Sequence, residues 1–361
     1  MINPRRSLLN PELQRPSALN SKPRDSKRLW LDKNENLDSD LMQVTKSVLS
    51  EMSSMSLATY PEAGSVYRKL SDWSGVDPDQ LLLTPGSDGA IRLVFESFIE
   101  HGDKVIHLAP TFAMYSVYSQ MFGAEVFPIN YSKSELEPLL DSDFIIDSVL
   151  SQKPKLLCLA NPDSPTGTIL EPEVLKKILT ACESVGTVLL IDEAYHPFYN
   201  WTALPWTKTS ENLIVVRTFA KAWGLAGLRI GYAAAHSKTI TLLHKMRPMY
   251  EVSTFALEFM LKMLDQDYEM LNSVRRIQEG KDYFAGSMRS LGFKVLPTSG
   301  NFIHVAFGHD KAKVHSILED KVYYREFFND SCLVEYSRFS VAPKDIMTQV
   351  SDLIRSSILD K

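Results

Sequence analysis

The stretch Leu213-Ile214-Val215-Val216-Arg217-Thr218-Phe219-Ala220-Lys221-Ala222-Trp223-Gly224-Leu225-Ala226-Gly227-Leu228-Arg229 joins an apolar run to a lysine, two glycines and an arginine. The run is short and rich in branched residues, as in a strand buried on both faces. A lysine just past such a strand, among apolar neighbours, is desolvated. That lowers its pKa and frees the amine as a nucleophile. Gly224 and Gly227 ahead of Arg229 read as tight packing around an anion. Without them, Lys221 would read as an ordinary surface lysine.

The same unit recurs on both sides of this stretch. Leu81-Leu82-Leu83 precedes Thr84-Pro85-Gly86-Ser87-Asp88 and a helical pattern through Ile91, Val94, Phe95, Phe98 and Ile99. Residues 104–108, 156–160 and 187–191 read as further strands, with helices expected over 115–122 and near 171–184. Apolar runs bounded by turn signals and separated by helices predict an α/β fold, a mostly parallel sheet sandwiched by helices. Ligands of such sheets bind beyond the carboxyl ends of the strands. Chemistry is therefore expected at 85–89, 109–115, 161–167, 192–195 and 218–221.

After about residue 250 a long amphipathic region (255–290) leads to short runs at 292–295 and 302–305, then helices near 311–319 and 344–358. This predicts a smaller α+β domain. The expected organisation is an N-terminal arm over 1–30, a segment over 31–50 joining the small domain, a large domain over 51–250 and a small C-terminal domain over 251–361.

A chain of 361 residues exceeds one simple core, and 44% hydrophobic with 23% charged residues is ordinary for a globular protein. The net charge of −5 argues against nucleic acid or an anionic membrane as partner. Arg24, Lys27 and Arg28 read as a solvated stretch. Cys158, Cys182 and Cys332 are widely spaced outside any CxxC pattern, which predicts buried thiols and no metal site. Arg5-Arg6 is followed by Ser7-Leu8-Leu9-Asn10-Pro11 and not by a secretion-signal core. No apolar run reaches the ~20 residues that cross a bilayer. A cytoplasmic location is expected.

Thr218-x-x-Lys221, with Arg229 eight residues later, resembles the cofactor-lysine segment of fold-type-I aminotransferases that use pyridoxal 5'-phosphate (PLP). Gly224–Arg229 is especially similar to histidinol-phosphate aminotransferases, and the likeness runs from Leu31 to about Val341. It implies that Lys221 carries the cofactor as an imine. In Asp192-Glu193-Ala194-Tyr195 it implies that Asp192 pairs with the ring nitrogen and that Tyr195 bonds the ring 3-hydroxyl. Gly86-Ser87-Asp88-Gly89 opens a helix whose N–H groups and dipole suit the cofactor phosphate. A capping role for Ser87 or Asp88 uses the same geometry. Thr218 and Arg229 would add donors. Phe112 stands where the family stacks an aromatic on the ring. In Asn161-Pro162-Asp163-Ser164-Pro165-Thr166-Gly167, Ser164 replaces the family's asparagine, so the bond to the 3-hydroxyl passes to Asn161 or a water.

Leu31-Asp32-Lys33-Asn34-Glu35-Asn36 resembles the family's Asn-Glu-Asn segment at the site entrance, with Asn36 toward the substrate. Tyr60, in Tyr60-Pro61-Glu62-Ala63-Gly64, matches the tyrosine that reaches the partner subunit's cofactor phosphate, implying a homodimer with shared active sites. Arg338 in Ser337–Val341 matches the arginine that grips the substrate's anionic group, and Arg325 a second arginine used for phosphate. Two guanidinium groups suit a dianion better than one carboxylate. The tyrosine that such enzymes usually offer from the N-terminal arm is missing from residues 1–30. The implied reaction moves an amino group between an amine or amino acid bearing a phosphate-type group and a 2-oxo acid, in amino-acid biosynthesis. Similar builds serve a PLP decarboxylase of a phosphorylated amino acid and aminotransferases of specialised pathways. A PLP-binding regulator is a third alternative, for which residues 1–30 leave no room for a DNA-binding domain.

Overall fold

A computed structural model describes residues 3–11, 13, 23–134 and 137–359. Its strands are β1 (Leu29–Trp30), β2 (Leu81–Thr84), β3 (Lys104–Ala109), β4 (Glu125–Asn130), β5 (Leu156–Ala160), β6 (Val188–Asp192), β7 (Leu213–Thr218), β8 (Gly231–Ala235), β9 (Lys294–Leu296), β10 (Phe302–Ala306), β11 (Val322–Tyr323) and β12 (Ser337–Ser340). Seven of them form one sheet in the order β2-β8-β7-β6-β5-β3-β4. The neighbours from β7 to β4 pair in parallel, and β8 runs antiparallel to both β7 and β2.

Alternation along each strand explains the apolar runs. Leu157 and Leu159 of β5 face one core, while Leu156, Cys158 and Ala160 face another. The helices Gly86–Phe98 and Met114–Phe122 cover the second face, and Pro172–Val185 and Thr254–Met263 the first. With helices on both sides no strand residue can be polar without a partner.

Two strands escape the sequence pattern. β4 carries Pro128 and is half-exposed, as suits an edge. β8 reads Gly-Tyr-Ala-Ala-Ala, a composition that favours helix. It is a strand because Ala233 and Ala235 fit beneath Ala90 and Val94 of the covering helix.

A third core joins the antiparallel sheet β12-β10-β9 to the helices Asp267–Ser290, Lys311–Leu318 and Lys344–Leu359. Leu31, far upstream, is buried in it with Phe284, Ile303, Phe339 and Ile354. β1 just before it pairs in parallel with β11. Part of the expected N-terminal arm, residues 14–22, lies outside the described residues. Residues 6–9 form a 3-10 turn, and Ser7 Oγ donates to Met121 O at 2.7 Å. Contrary to expectation, Arg24 and Arg28 are not merely solvated. Their guanidinium carbons lie 4.1 Å from the Trp30 ring and 3.7 Å from the Tyr323 ring. Among the described residues no helix is long and apolar enough to cross a membrane.

Gly231 shows how the fold serves the site. A Cβ there would come within 2.5 Å of Arg217 O, 2.6 Å of Gly86 C and 2.7 Å of Ser87 N. Strand β8 can pass under the start of the helix Gly86–Phe98 only as glycine. Gly231→Ala is expected to cost about 1–3 kcal/mol of stability, read as a fall in Tm, and to displace the turn at 86–87. Gly227→Ala, with nothing within 4 Å of its Cβ, should leave Tm nearly unchanged.

Candidate active site

The carboxyl ends of β2, β3, β5, β6 and β7 open on one cavity of about 830 Å³. Ser87 and Asp88, Phe112, Ser164, Asp192 with Tyr195, and Thr218 with Lys221 line it from these ends. Arg325 and Arg338 line it from the smaller core, and Asp32–Glu35 from the N-terminal side.

Lys221 Nζ donates to Lys33 O at 2.9 Å and lies 5.9 Å from the centre of the Tyr195 ring. Burial pushes its pKa down to about 8, with repulsion from Arg338 and Arg229 adding to the shift and Glu35 and Asp192 opposing it. An amine in that range is partly neutral at physiological pH. Asp192 accepts from Ala194 N–H at 3.0 Å and from the Tyr115 hydroxyl at 3.2 Å. It has no ion-pair partner among the described residues, and burial pushes its pKa up to about 7. The site thus holds a buried carboxyl that a cation would make ionise.

Tyr195 is fixed from two sides. Asn34 Nδ2 donates to its hydroxyl at 2.8 Å, and Ser164 lines the same cavity. Its ring meets Phe302 edge-on at 5.3 Å.

An anion cradle lies at the start of the helix Gly86–Phe98. Gly86 has φ +78, and a Cβ there would stand 2.8 Å from Arg229 Nη2. Arg229 is anchored by Ala226 O at 3.3 Å and Pro85 O at 3.4 Å. Thr218 Oγ accepts from Ala220 N–H at 3.1 Å, which leaves its own proton to donate. Asp88 accepts from the Tyr118 hydroxyl at 2.9 Å.

Arg325 and Arg338 meet through their backbones, each N–H donating to the other's carbonyl at 2.9 and 2.8 Å. Arg338 Nη2 donates to Asp32 O at 3.1 Å while its Nε is buried without a partner. Burial and neighbouring Arg325 push its pKa down. Neither guanidinium forms an ion pair among the described residues.

Two expected residues do not line the cavity. Asn36 does not face the cavity: its Nδ2 donates to Ala222 O and Ser273 Oγ, both at 2.9 Å, and its Oδ1 accepts Asp38 N–H at 3.0 Å. Asn161 does not line the cavity either. Its amide closes a loop through Leu170 N–H at 2.8 Å and Leu170 O at 3.3 Å. Tyr60 lies outside its own chain's cavity, 75% exposed and stacked on Tyr250 at 4.4 Å.

Asn34 and Tyr115 also shape the site, without a sequence signal of their own. Asn34 sits at φ +54, a conformation asparagine tolerates better than most residues, but no sequence pattern marks its contact with Tyr195. Asp163 likewise carries no sequence signal of its role. It accepts from Thr111 Oγ at 2.5 Å and Thr166 Oγ at 2.8 Å, tying the loop after β5 to the residue before Phe112.

The family model for aminotransferase class I and II matches residues 26–350. This chain belongs to that family. The aminotransferase is 33% identical over 304 residues to a histidinol-phosphate aminotransferase of Thermoanaerobacter sp. (strain X514), covering 83% of this chain and 84% of the relative. A histidinol-phosphate aminotransferase of Caldanaerobacter subterraneus is 29% identical, with 87% and 88% covered. In fold it matches the Sinorhizobium meliloti histidinol-phosphate aminotransferase solved in complex with pyridoxal-5'-phosphate. There the TM-score is 0.79, with 20% identity over 92% of this chain and 91% of that one.

The buried carboxyl of this aminotransferase has a measurable signature in cofactor-free protein. The folded-state pKa of Asp192 is about 7, against 3.8 for the free side chain. The native state therefore holds the proton over that window while the unfolded chain has lost it, and stability falls as pH rises from about 4 to 7. Asp192→Asn has no such slope. Its stability relative to the parent, measured by urea unfolding, should rise by on the order of 2 kcal/mol between pH 5 and pH 8. A flat difference would show that Asp192 is not protonated in the folded protein.

Proposed function

We propose that this aminotransferase moves an amino group between an amine bearing a phosphate-type group, with histidinol phosphate as the best candidate, and a 2-oxo acid. It uses pyridoxal 5'-phosphate and works as a homodimer. The observation that carries this reading is that Lys221 and Asp192 line the same cavity as two guanidinium groups free of carboxylates, Arg325 and Arg338.

The cavity fits the cofactor group by group. The Gly86 turn, Thr218 and Arg229 make a cradle for its phosphate that any Cβ at 86 would fill. Asp192 is a buried carboxyl suited to a protonated ring nitrogen, and Lys221 a desolvated amine suited to the aldehyde. When bound, pyridoxal phosphate supplies an electron sink for the pair left when the substrate's α-carbon loses its proton.

The chain's own residues do the rest. The Lys221 amine, once released, takes and returns the α-carbon proton, a role for which a pKa lowered by burial suits it. Tyr195, held by Asn34, would offer its hydroxyl to the ring oxygen. Phe112 supplies an apolar wall at the cavity, edge-on to Tyr115 at 5.7 Å. Arg325 and Arg338 take the substrate's anionic group, where two charge-assisted contacts favour a dianion.

Exposure of large apolar residues supports the dimer. Leu57, Tyr60, Met249 and Tyr250 are exposed, Leu57 77% and Met249 78% accessible, and Tyr60 stacks on Tyr250. A second copy covering them would bring Tyr60 to the partner's cradle.

Borohydride treatment of wild-type protein with cofactor should trap the cofactor on Lys221, located by peptide mapping, and Lys221→Ala should trap none. Histidinol phosphate should convert the bound chromophore to the pyridoxamine form. Release of CO₂ from phosphothreonine or phosphoserine, without such conversion, would favour the decarboxylase instead. Arg338→Ala is expected to raise KM for the phosphorylated amine about 10- to 100-fold, the loss of one charge-assisted contact, with a smaller effect on kcat.

A further inference from the structure

Besides Asp88, Asp192 and Asp330, two carboxylates on the N-terminal segment line the cavity and have no place in the scheme above. Asp32 and Glu35 line it beside Lys33, on the segment whose backbone carbonyl at Asp32 accepts Arg338 Nη2. Left free, they would oppose an anionic substrate and compete for Arg325 and Arg338. Arg24 takes both. Its Nη1 donates to Asp32 Oδ1 at 2.9 Å and to Glu35 Oε2 at 2.7 Å, and its Nη2 to Glu35 Oε1 at 2.8 Å.

The guanidinium is held in place from behind. It stacks at 4.1 Å on Trp30, whose indole N–H donates to Asp25 O at 2.9 Å. Asp25 N–H donates to the Tyr323 hydroxyl at 3.0 Å, and β1 is paired with β11. Arg24 side-chain exposure is only 18%, with 24% and 22% for its partners, so water screens these pairs incompletely. Glu35 responds most strongly to Arg24, which holds its carboxyl below the usual range, and more weakly to Lys33 and Lys221.

We propose that Arg24 is a positioning residue that sets charge specificity: by occupying Asp32 and Glu35 it keeps the cavity mouth open to anionic substrates and leaves Arg325 and Arg338 to bind them. This rests on the anionic-substrate reading proposed above.

The test is steady-state kinetics of the holoenzyme with histidinol phosphate and with histidinol, which lacks the phosphate. Wild-type preference for the ester tests the earlier reading; the change in that preference tests this one. Arg24→Gln should raise KM for histidinol phosphate about tenfold, the scale of like-charge repulsion at partly screened distances. It should leave KM for histidinol within twofold and hold kcat for both.

Arg24→Gln combined with Glu35→Gln should recover most of the ester KM, because the exposed charge is gone. Arg24→Lys, which keeps the charge without the two-pronged contact, should fall between and serves if Arg24→Gln does not fold. If the wild type turns over neither amine, the spectral half-reaction with 2-oxoglutarate against pyruvate makes the same dianion-to-monoanion comparison. Equal KM rises for both charge classes, no change in either, or failure of the double variant to recover would overturn the proposal.

Discussion

A parallel sheet covered by helices on both faces satisfies its backbone in the ladder and its side chains in two cores. Only the strand ends are left for chemistry. In this chain five such ends meet around one cavity, and each turn contributes what its local geometry can hold. The turn after β2 contributes uncommitted N–H groups, β6 ends in a carboxylate, and β7 is followed by an amine. Anything that moves a strand end moves the site, which is why a small-residue strand such as β8, lying directly beneath the turn at Gly86 and Ser87, tolerates so little.

The second dependence is on one short segment. Leu31 is buried in the smaller core, Lys33 O accepts Lys221, and the backbone N–H of Asn34 donates to Ser340 Oγ at 2.6 Å. Asn34 O accepts Asn301 Nδ2 at 3.0 Å, while its side chain reaches Tyr195. Asn36 then fastens the segment to Ala222 O, one residue past the lysine. The segment joins the core that carries the arginines to the sheet that carries the lysine and carboxylate. Residues that looked like substrate contacts therefore include structural ones: a buried amide meeting several partners is fully occupied, and cannot also bind a ligand.

Adjacent acids in the same dipeptide show how differently burial can be handled. Glu193 is fully paired: it accepts from Ala203 N–H at 2.6 Å and Thr202 Oγ at 2.8 Å, and Arg217 Nη2 lies 2.8 Å away. Asp192, facing the other way along the strand, has two weaker partners and no cation. The first is a closed structural pair; the second is a charge held in readiness. Lys221 is its counterpart, an amine whose pKa the same lack of solvent lowers to about 8. Function here depends on leaving polar groups underpaired in a fold that pairs nearly everything else.

Much of this was written in the chain itself. Short apolar runs at 81–83, 104–108, 156–160, 187–191 and 213–216, bounded by turn signals, read as buried strands, and each of them is one. The residues that follow them carried the chemistry in local motifs. What stayed hidden depended on distant partners. The alanines of β8 became a strand through packing against a helix laid over them. Asn36 and Asn161 lost their expected roles to backbone groups elsewhere in the chain. Asn34 and Arg24 acquired roles through Tyr195 and through Asp32 and Glu35. The sequence alone determined the layered sheet and the strand ends where chemistry sits, since periodicity is a local property, and the resemblance of its motifs to a known family pointed to the lysine and the acid there. Only the tertiary structure decided which polar side chains are spent on the scaffold and which remain free for a ligand, since hydrogen-bond partners are set by proximity in space.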